Sequence, residues 1–124
     1  MRGIAAYKQT RVGSASPTQV VMMLFQETVH RLTRAAHSMD NENVQWRKDL
    51  HHAREIYLEL LGALDREAAP QMCDNLHSLY QWCISELIVA GRNSDKAKIL
   101  AVLKVSTTLL EGWQFVANGG QHTP

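Results

Sequence analysis

The segment that sets the architecture of this chain is Ala6–Gln26, AYKQTRVGSASPTQVVMMLFQ, which passes abruptly from a polar arm to an apolar helix. Ser16 can cap the helix, Pro17 suits its first turn, and Gln19 stands three residues after the cap, as in a capping box. The apolar run VVMMLF follows directly. We therefore expect the helix to begin at Pro17, with Ser16 as its cap, and residues 1–15 to form an N-terminal arm outside any regular element.

The composition is that of one globular, helical domain. The 124 residues are 45% apolar with only three prolines, which suffices for a single hydrophobic core. The formal net charge of +1, from 13 basic and 12 acidic residues, argues against nucleic acid as the main partner, because phosphate binding needs a strongly basic face. The one local excess of basic residues lies in the arm, where Arg2, Lys8 and Arg11 precede the first acidic residue, Glu27. Three such charges are typical of a solvated tail.

Neither membrane insertion nor secretion is expected from the sequence. It contains no uninterrupted apolar run of ~18 residues and no signal-peptide pattern, so we expect no transmembrane segment and a cytoplasmic location. Cys73 and Cys83 are ten residues apart on one predicted helix, too distant to bridge each other, and they match no metal-binding spacing. We expect two reduced thiols, with Cys83 in the core.

Apolar residues at three- and four-residue steps predict four helices of about 20 residues, each ~30 Å long. Their connections are short, which favours antiparallel neighbours. The predicted fold is all-α: an antiparallel up-down four-helix bundle over 16–117, with the arm packed on or near a groove and a disordered tail over 118–124. Gly91 is the predicted stop of the third helix, and Ser94 the predicted cap of the fourth. The predicted helices are Pro17–Met39, Asn43–Leu64, Pro70–Ala90 and Asp95–Val116.

The third predicted helix carries more apolar surface than a surface helix needs. In Leu79–Ala90 only Gln81, Ser85 and Glu86 are polar, so the apolar face covers well over half of the circle, whereas a stripe of roughly 100° is enough. Either the helix is central and covered by its neighbours, with the arm laid over it, or it forms a hydrophobic groove for helical segments of another protein. The two interpretations are compatible if the arm covers the groove until a partner protein displaces it.

The polar residues form no recognisable catalytic or metal-binding pattern. His51 and Glu55 lie one helical turn apart on a face away from the apolar stripe, and no His-Glu-x-x-His or Glu-x-x-His constellation occurs. Asp40, Glu42 and Asp49 cluster near a helix start, where the helix dipole accounts for acidic residues. The sequence also lacks a nucleophile elbow, a phosphate loop and a Cys-x-x-Cys pair. We therefore expect no enzymatic activity, no metal and no cofactor.

Three stretches in register resemble FliS-type flagellar export chaperones, a family of flagellin-specific chaperones. The first is Ala6–Gln26, with its Tyr-containing polar arm, Ser-Pro cap and Met-Leu-aromatic step. The second is residues 61–91, LGALDREAAPQMCDNLHSLYQWCISELIVAG. The third is residues 102–116, VLKVSTTLLEGWQFV, whose Trp113 matches the Trp near the end of the last helix of the family. Together they extend the resemblance over nearly the whole domain.

The resemblance implies a cytoplasmic chaperone that binds the C-terminal segment of flagellin, prevents its premature polymerisation and delivers it to the flagellar type III export apparatus. Carried over onto this sequence, Ile4, Tyr7 and Val12 of the arm would cover a groove and rearrange on binding. The apolar helical faces of flagellin would lie in grooves that the third and fourth helices leave open. The residues expected to line these grooves are Leu79, Tyr80, Trp82, Val89, Val105 and Trp113.

The residues alone leave two other functions open. The excess apolar surface also suits a self-associating structural bundle, a homodimer without chaperone activity. We expect a chaperone to be a monomer or a weak homodimer. In light scattering, a concentration-independent monomer with exposed apolar surface would disfavour the structural bundle. A metal-binding or enzymatic bundle, the third possibility, would carry a stoichiometric metal in the purified protein.

Overall fold

The computed structural model describes residues 17–41 and 44–120, and most of these residues are helical. Neither range contains a β-strand. A short 3₁₀ turn, Met39–Asn41, follows the first helix. The four α-helices are α1, Pro17–Ser38; α2, Gln45–Gly62; α3, Pro70–Asn93; and α4, Lys96–Ala117.

The helices form a ring in chain order, because α1 packs on α2 and α4, and α3 packs on the same two helices. Neighbours are antiparallel, since contacts join the end of one helix to the start of the other. Lys96 Nζ at the start of α4 lies 2.8 Å from Oδ2 of Asp40, just after α1. Arg47 Nη1 in the first turn of α2 donates to the Gly91 carbonyl near the end of α3, at 2.6 Å. The predicted all-α up-down four-helix bundle is confirmed, while the arm, residues 1–15, lies outside the described part.

Three aromatic rings from three helices meet at the centre of the core. The rings of Phe25, Tyr57 and Tyr80 have centroids 5.6 to 6.3 Å apart, distances at which tilted and edge-to-face pairs attract. The Tyr57 hydroxyl is 2.6 Å from Oγ of Ser106 on α4, and Ser106 Oγ also lies 2.8 Å from the Val102 carbonyl, to which it donates. Burial raises the pKa of both tyrosines, that of Tyr80 to about 12. Both phenols therefore stay neutral, and the buried hydroxyl of Tyr57 is satisfied.

Asp49 has a role that the sequence did not indicate. We expected the helix dipole to account for this residue, but its side chain is fully buried between α1 and α2 and contacts two arginines. Arg34 Nη2 lies 2.6 Å and Arg31 Nη1 3.1 Å from Oδ1 of Asp49. Burial by itself would raise the pKa of Asp49, but the hydrogen bonds from Arg34 and Arg31 outweigh burial and hold the pKa below its usual value. The dipole explanation was wrong, because Asp49 lies beyond the first turn of α2.

The turn between α3 and α4 also differs from the prediction. Gly91 does not stop α3; the helix continues to Asn93, and Ser94 adopts the left-handed conformation with φ 51°. The amide of Asp95 then closes the turn on the Ala90 carbonyl at 3.0 Å. Ser94 does not cap α4 either, since the side chain of Asp95 accepts the amide of Lys98. Ser94 caps the C-terminus of α3 in the left-handed conformation. An N-cap residue normally has an extended backbone, so Ser94 cannot also cap α4.

Residues 118–120, which we expected to be disordered, form a hydrogen-bonded turn after α4. The amide of Gly120 donates to the Phe115 carbonyl at 2.9 Å, and Gly119 and Gly120 have φ of 68° and 80°. This positive φ is accessible to glycine without a steric penalty, so the two glycines end the helix. Residues 121–124 lie outside the described part.

Candidate functional site

The four helices are buried to very different extents. Seven of the 22 residues of α1 and seven of the 18 residues of α2 are buried. The corresponding numbers are five of 24 for α3 and three of 22 for α4. Yet α4 is apolar enough, by length and composition alone, to cross a membrane. In this bundle it packs on α1 and α3, so much of its apolar surface is left uncovered by the described residues.

Part of the uncovered apolar surface lies where the start of α3 meets the end of α4. We call this site the α3/α4 groove; it has a volume of about 280 Å³ and is lined by Met72, Leu76, Leu109, Trp113 and Val116, with Thr108 and Gly112 between them. The side chains of Met72 and Val116 are 62% and 57% exposed. Burying one large apolar side chain contributes roughly 1.5–3 kcal/mol, so the groove can bind apolar side chains of a partner.

A second cavity, which we call the end cavity, opens beside the α3/α4 groove and has a volume of about 200 Å³. Met72, Leu76 and Trp113 line both. Because the helices are antiparallel, this end of the bundle combines the start of α1, the end of α2, the start of α3 and the end of α4. Val21 of α1 lines the cavity one turn after Pro17, the residue at which the N-terminal arm joins the bundle.

The other half of the seam between α3 and α4 carries the remaining predicted residues. Leu79, Trp82 and Val89 recur on the side of α3 that contains Glu86, whose carboxylate lies 3.1 Å from Nζ of Lys98 on α4. Trp82 is 39% exposed. Val105 follows Lys98 by seven residues, which places it on the same side of α4. These residues therefore line the seam, and one ion pair crosses it.

The predicted groove residues occupy different layers of the bundle. Tyr80 is only 2% exposed and belongs to the core, so it forms the floor of the end cavity rather than a wall of an open groove. Trp113 is half-buried and lies between the end cavity and the α3/α4 groove. Ile4, Tyr7 and Val12 lie outside the described residues. Hydrophobicity and helical periodicity do not distinguish buried residues at the floor of a groove from exposed residues at its rim, because both kinds of residue lie on the same apolar face of a helix.

Four large apolar residues of the α3/α4 groove were missed at the sequence level. The apolar face predicted for the third helix began at Leu79, just beyond the groove residues of that helix. A signal was present, since Leu109, Trp113 and Val116 follow the steps of four and three residues that place side chains on one helical face. What the sequence lacked was the pairing of this face with the start of α3. The missed residues are Met72, Leu76, Leu109 and Val116.

The chemistry of both cavities is that of apolar binding. Asp65 is the one charged residue that lines either of them within the described part. The described residues also contain no group of three or more His, Cys, Asp or Glu side chains that could hold a metal ion. Cys73 lines the end cavity, and Cys83 lies in the core, where burial raises the pKa of its thiol to about 11. Cys83 is therefore a protonated packing residue, and binding would rest on buried apolar area.

Comparison with known proteins matches residues 1–120 to the family model described as flagellar protein FliS. A flagellar secretion chaperone FliS of Salmonella typhimurium is 31% identical over 121 residues, covering 93% of this chain and 90% of that protein. The FliS chaperone of Campylobacter jejuni is 30% identical over 114 residues, covering 91% and 89%. A solved structure titled as a flagellar chaperone from bacteria has the same fold, with a TM-score of 0.77 at 16% identity over 93% of this chain and 94% of that one. The chain therefore belongs to the FliS family of flagellar secretion chaperones.

Proposed function

We propose that this protein is a cytoplasmic export chaperone that binds the C-terminal segment of flagellin. Binding would prevent premature polymerisation and present flagellin to the flagellar type III export apparatus. The observation that carries the proposal is the apolar α3/α4 groove, formed by the two helices of the bundle with the fewest buried residues. The relatives, named flagellar secretion chaperones, support the same function.

The geometry suits an amphipathic helix better than a small molecule. The α3/α4 groove and the end cavity share three lining residues and form a continuous apolar surface. A helix bound there would place residues at steps of three and four along the groove, which is how helical ligands are recognised in grooves. Met72 and Val116 are the most exposed apolar side chains of the groove, so they stand to gain most from being covered.

The N-terminal arm is the proposed competitor for this surface. It joins the bundle at Pro17, one turn before Val21 of the end cavity. Ile4, Tyr7 and Val12 give it three spaced apolar residues, enough to cover part of the apolar surface but fewer than an amphipathic helix of several turns provides. Flagellin would displace the arm because it buries more apolar area.

Calorimetric titration with full-length and C-terminally truncated flagellin tests the proposal. We expect a 1:1 complex with full-length flagellin and no measurable binding of the truncated form. Met72→Asp and Val116→Asp should each weaken binding roughly tenfold or more, because each places a charge against the buried face of the ligand. Leu100→Asp is the matched control, since Leu100 is an exposed apolar residue of α4 that lines neither cavity. Undiminished affinity for truncated flagellin would refute the proposal.

Self-association through the same apolar surface is the competing function. It predicts a mass in light scattering that rises with protein concentration and falls to the monomer value in Val116→Asp. The chaperone proposal instead predicts a mass that stays near the monomer value, with the N-terminal arm covering part of the apolar surface until flagellin displaces it.

A further inference from the structure

A second groove runs between α2 and α3 and differs in chemistry from the first. It has a volume of about 390 Å³. Four of its lining residues are basic: Arg47, His51 and Arg54 on α2, and Arg92 on α3. None of the described residues that line it is acidic. We call it the α2/α3 groove.

The two grooves lie on different sides of α3. Ile88 lines the α2/α3 groove, whereas Val89 lies along the seam with α4; consecutive residues of a helix point about 100° apart. The α2/α3 groove shares no lining residue with the α3/α4 groove or the end cavity. A ligand in one groove therefore leaves the other accessible.

Two of the arginines, Arg47 and Arg54, are held by hydrogen bonds, and Arg54 and Arg92 keep their charge available. Arg47 is fixed by its hydrogen bond to the Gly91 carbonyl at 2.6 Å. Arg54 donates to Nδ1 of His51 at 3.0 Å, so the other ring nitrogen, Nε2, faces Glu55 at 3.6 Å. Within the described part of the chain, neither Arg54 nor Arg92 forms an ion pair. The groove thus presents a positive potential to an anionic ligand.

The floor and the ends of the groove are apolar. Leu50 and Leu87 form a buried floor, and Ile88 stands half-exposed at its rim. Along α2, exposed Val44 and Leu58 flank the basic residues at the two ends of the same face. They are 14 residues apart, or ~21 Å along the helix, the length of about four turns of a bound helix.

We propose that the α2/α3 groove docks an acidic amphipathic helix of a partner protein. Apolar residues of that helix would pack on Ile88 and the leucine floor, and its Asp and Glu residues would face Arg54 and Arg92. The N-terminal arm does not fit, because it carries three basic residues and no acidic one. A bilayer fits less well than a helix, since a flat surface cannot reach a concave floor. The protein could then hold its proposed cargo on one side of α3 and a second protein on the other.

Fluorescence anisotropy with a synthetic peptide tests this proposal on the full chain. The probe is a labelled helical peptide of about 16 residues, with Leu at steps of three and four and Glu on both flanks; a second peptide has Lys in place of Glu. We expect the Glu peptide to bind wild-type protein more tightly than the Lys peptide, and its binding should weaken with added salt. Arg54→Glu with Arg92→Glu should weaken Glu-peptide binding roughly tenfold or more and favour the Lys peptide instead. The control Lys104→Glu changes an exposed charge on α4 and should leave the affinity unchanged.

Several outcomes would overturn the proposal. Equal binding of the Glu and Lys peptides would mean that charge does not select the ligand. Loss of Glu-peptide binding in Met72→Asp would place the peptide in the α3/α4 groove instead. Binding of phosphatidylserine vesicles that requires Arg92, with no peptide binding, would identify a membrane site. A dimer that dissociates in Arg92→Glu would identify a second copy of this chain as the occupant.

Flagellin binding by the double variant distinguishes a failure of this proposal from a failure of the flagellin proposal. Arg54→Glu with Arg92→Glu should bind flagellin with wild-type affinity, because both residues lie outside the α3/α4 groove. Thermal unfolding establishes that each variant is folded. If the double variant fails to fold, Arg54→Gln with Arg92→Gln removes the same charges without reversing them, and the Glu peptide should still bind more weakly.

Discussion

Asp49 on α2 accepts a 2.6 Å hydrogen bond from Nη2 of Arg34 on α1, and its carboxylate is completely buried although Arg34 reaches solvent. Nε of Arg34 donates to the other carboxylate oxygen at 2.9 Å. Arg31 adds a third bond to the same carboxylate and pairs with Glu27 one turn earlier. The four residues join α1 and α2 near the connection between them. Charge-assisted hydrogen bonds of this kind hold a buried carboxylate ionised and fix how two helices face each other.

Replacing Asp49 by Ala should destabilise the fold. The variant loses three charge-assisted hydrogen bonds, but Arg34 and Arg31 can both turn to water, so we expect a loss of about 1–3 kcal/mol in the free energy of unfolding. Urea denaturation monitored by circular dichroism measures it. Asp40→Ala, which breaks the exposed pair with Lys96, is the control and should change stability little. Equal effects of the two substitutions would contradict the role assigned to Asp49.

The same carboxylate predicts how stability depends on pH. The pKa of Asp49 is held below its ordinary value of 3.8, so the unfolded chain takes up this proton more readily than the folded one. The stabilisation is therefore complete above about pH 4 and is lost as the pH falls through the lowered folded-state pKa. Urea midpoints of wild type and Asp49→Asn should differ at pH 7 and converge as the pH falls through the lowered pKa of Asp49. A difference independent of pH would argue against an ionised Asp49.

The hydrogen bond between Tyr57 and Ser106 predicts an asymmetry between two substitutions. Tyr57→Phe leaves Ser106 Oγ bonded to the Val102 carbonyl and should cost about 0.5–1.5 kcal/mol. Ser106→Ala leaves the buried Tyr57 hydroxyl without its 2.6 Å partner and should cost more, about 1–3 kcal/mol. Thermal unfolding of both single variants and the double variant gives the coupling between them. Equal single effects would mean that the hydroxyl finds another partner.

Tyr7 lies outside the described residues, and its position in the N-terminal arm predicts an effect on exchange rather than folding. Tyr7→Ala should change the rates at which flagellin binds and dissociates, because it weakens a competitor for the apolar surface. Stopped-flow fluorescence measures these rates. The melting temperature should stay close to that of wild type, since Tyr7 precedes the bundle. A loss of several degrees with unchanged flagellin binding would count against the arm as a lid.

Local signals predicted the helices well and their ends less well. Pro17 begins α1 as expected, because a proline at the first turn and the apolar run after it depend only on neighbouring residues. The predicted helix end at Gly91 was wrong, because a glycine inside a helix costs only about 1 kcal/mol and the packing of α3 offsets this cost. Ser94 took the left-handed position instead. Where α3 ends and which residue caps α4 depend on how these two helices pack against each other. A short stretch of sequence does not contain that information.

The sequence by itself determined the number of helices, the antiparallel bundle and the membership of the FliS family, because apolar periodicity, short connections and motifs in register are properties of the chain. Only the tertiary structure decided what each apolar or charged residue does. It buried Tyr80 in the core and left Met72 exposed in a groove, and it enclosed Asp49 between arginines from another helix. The reason is physical: burial and ion pairing depend on which helix faces lie opposite each other, and those faces come from residues far apart in sequence.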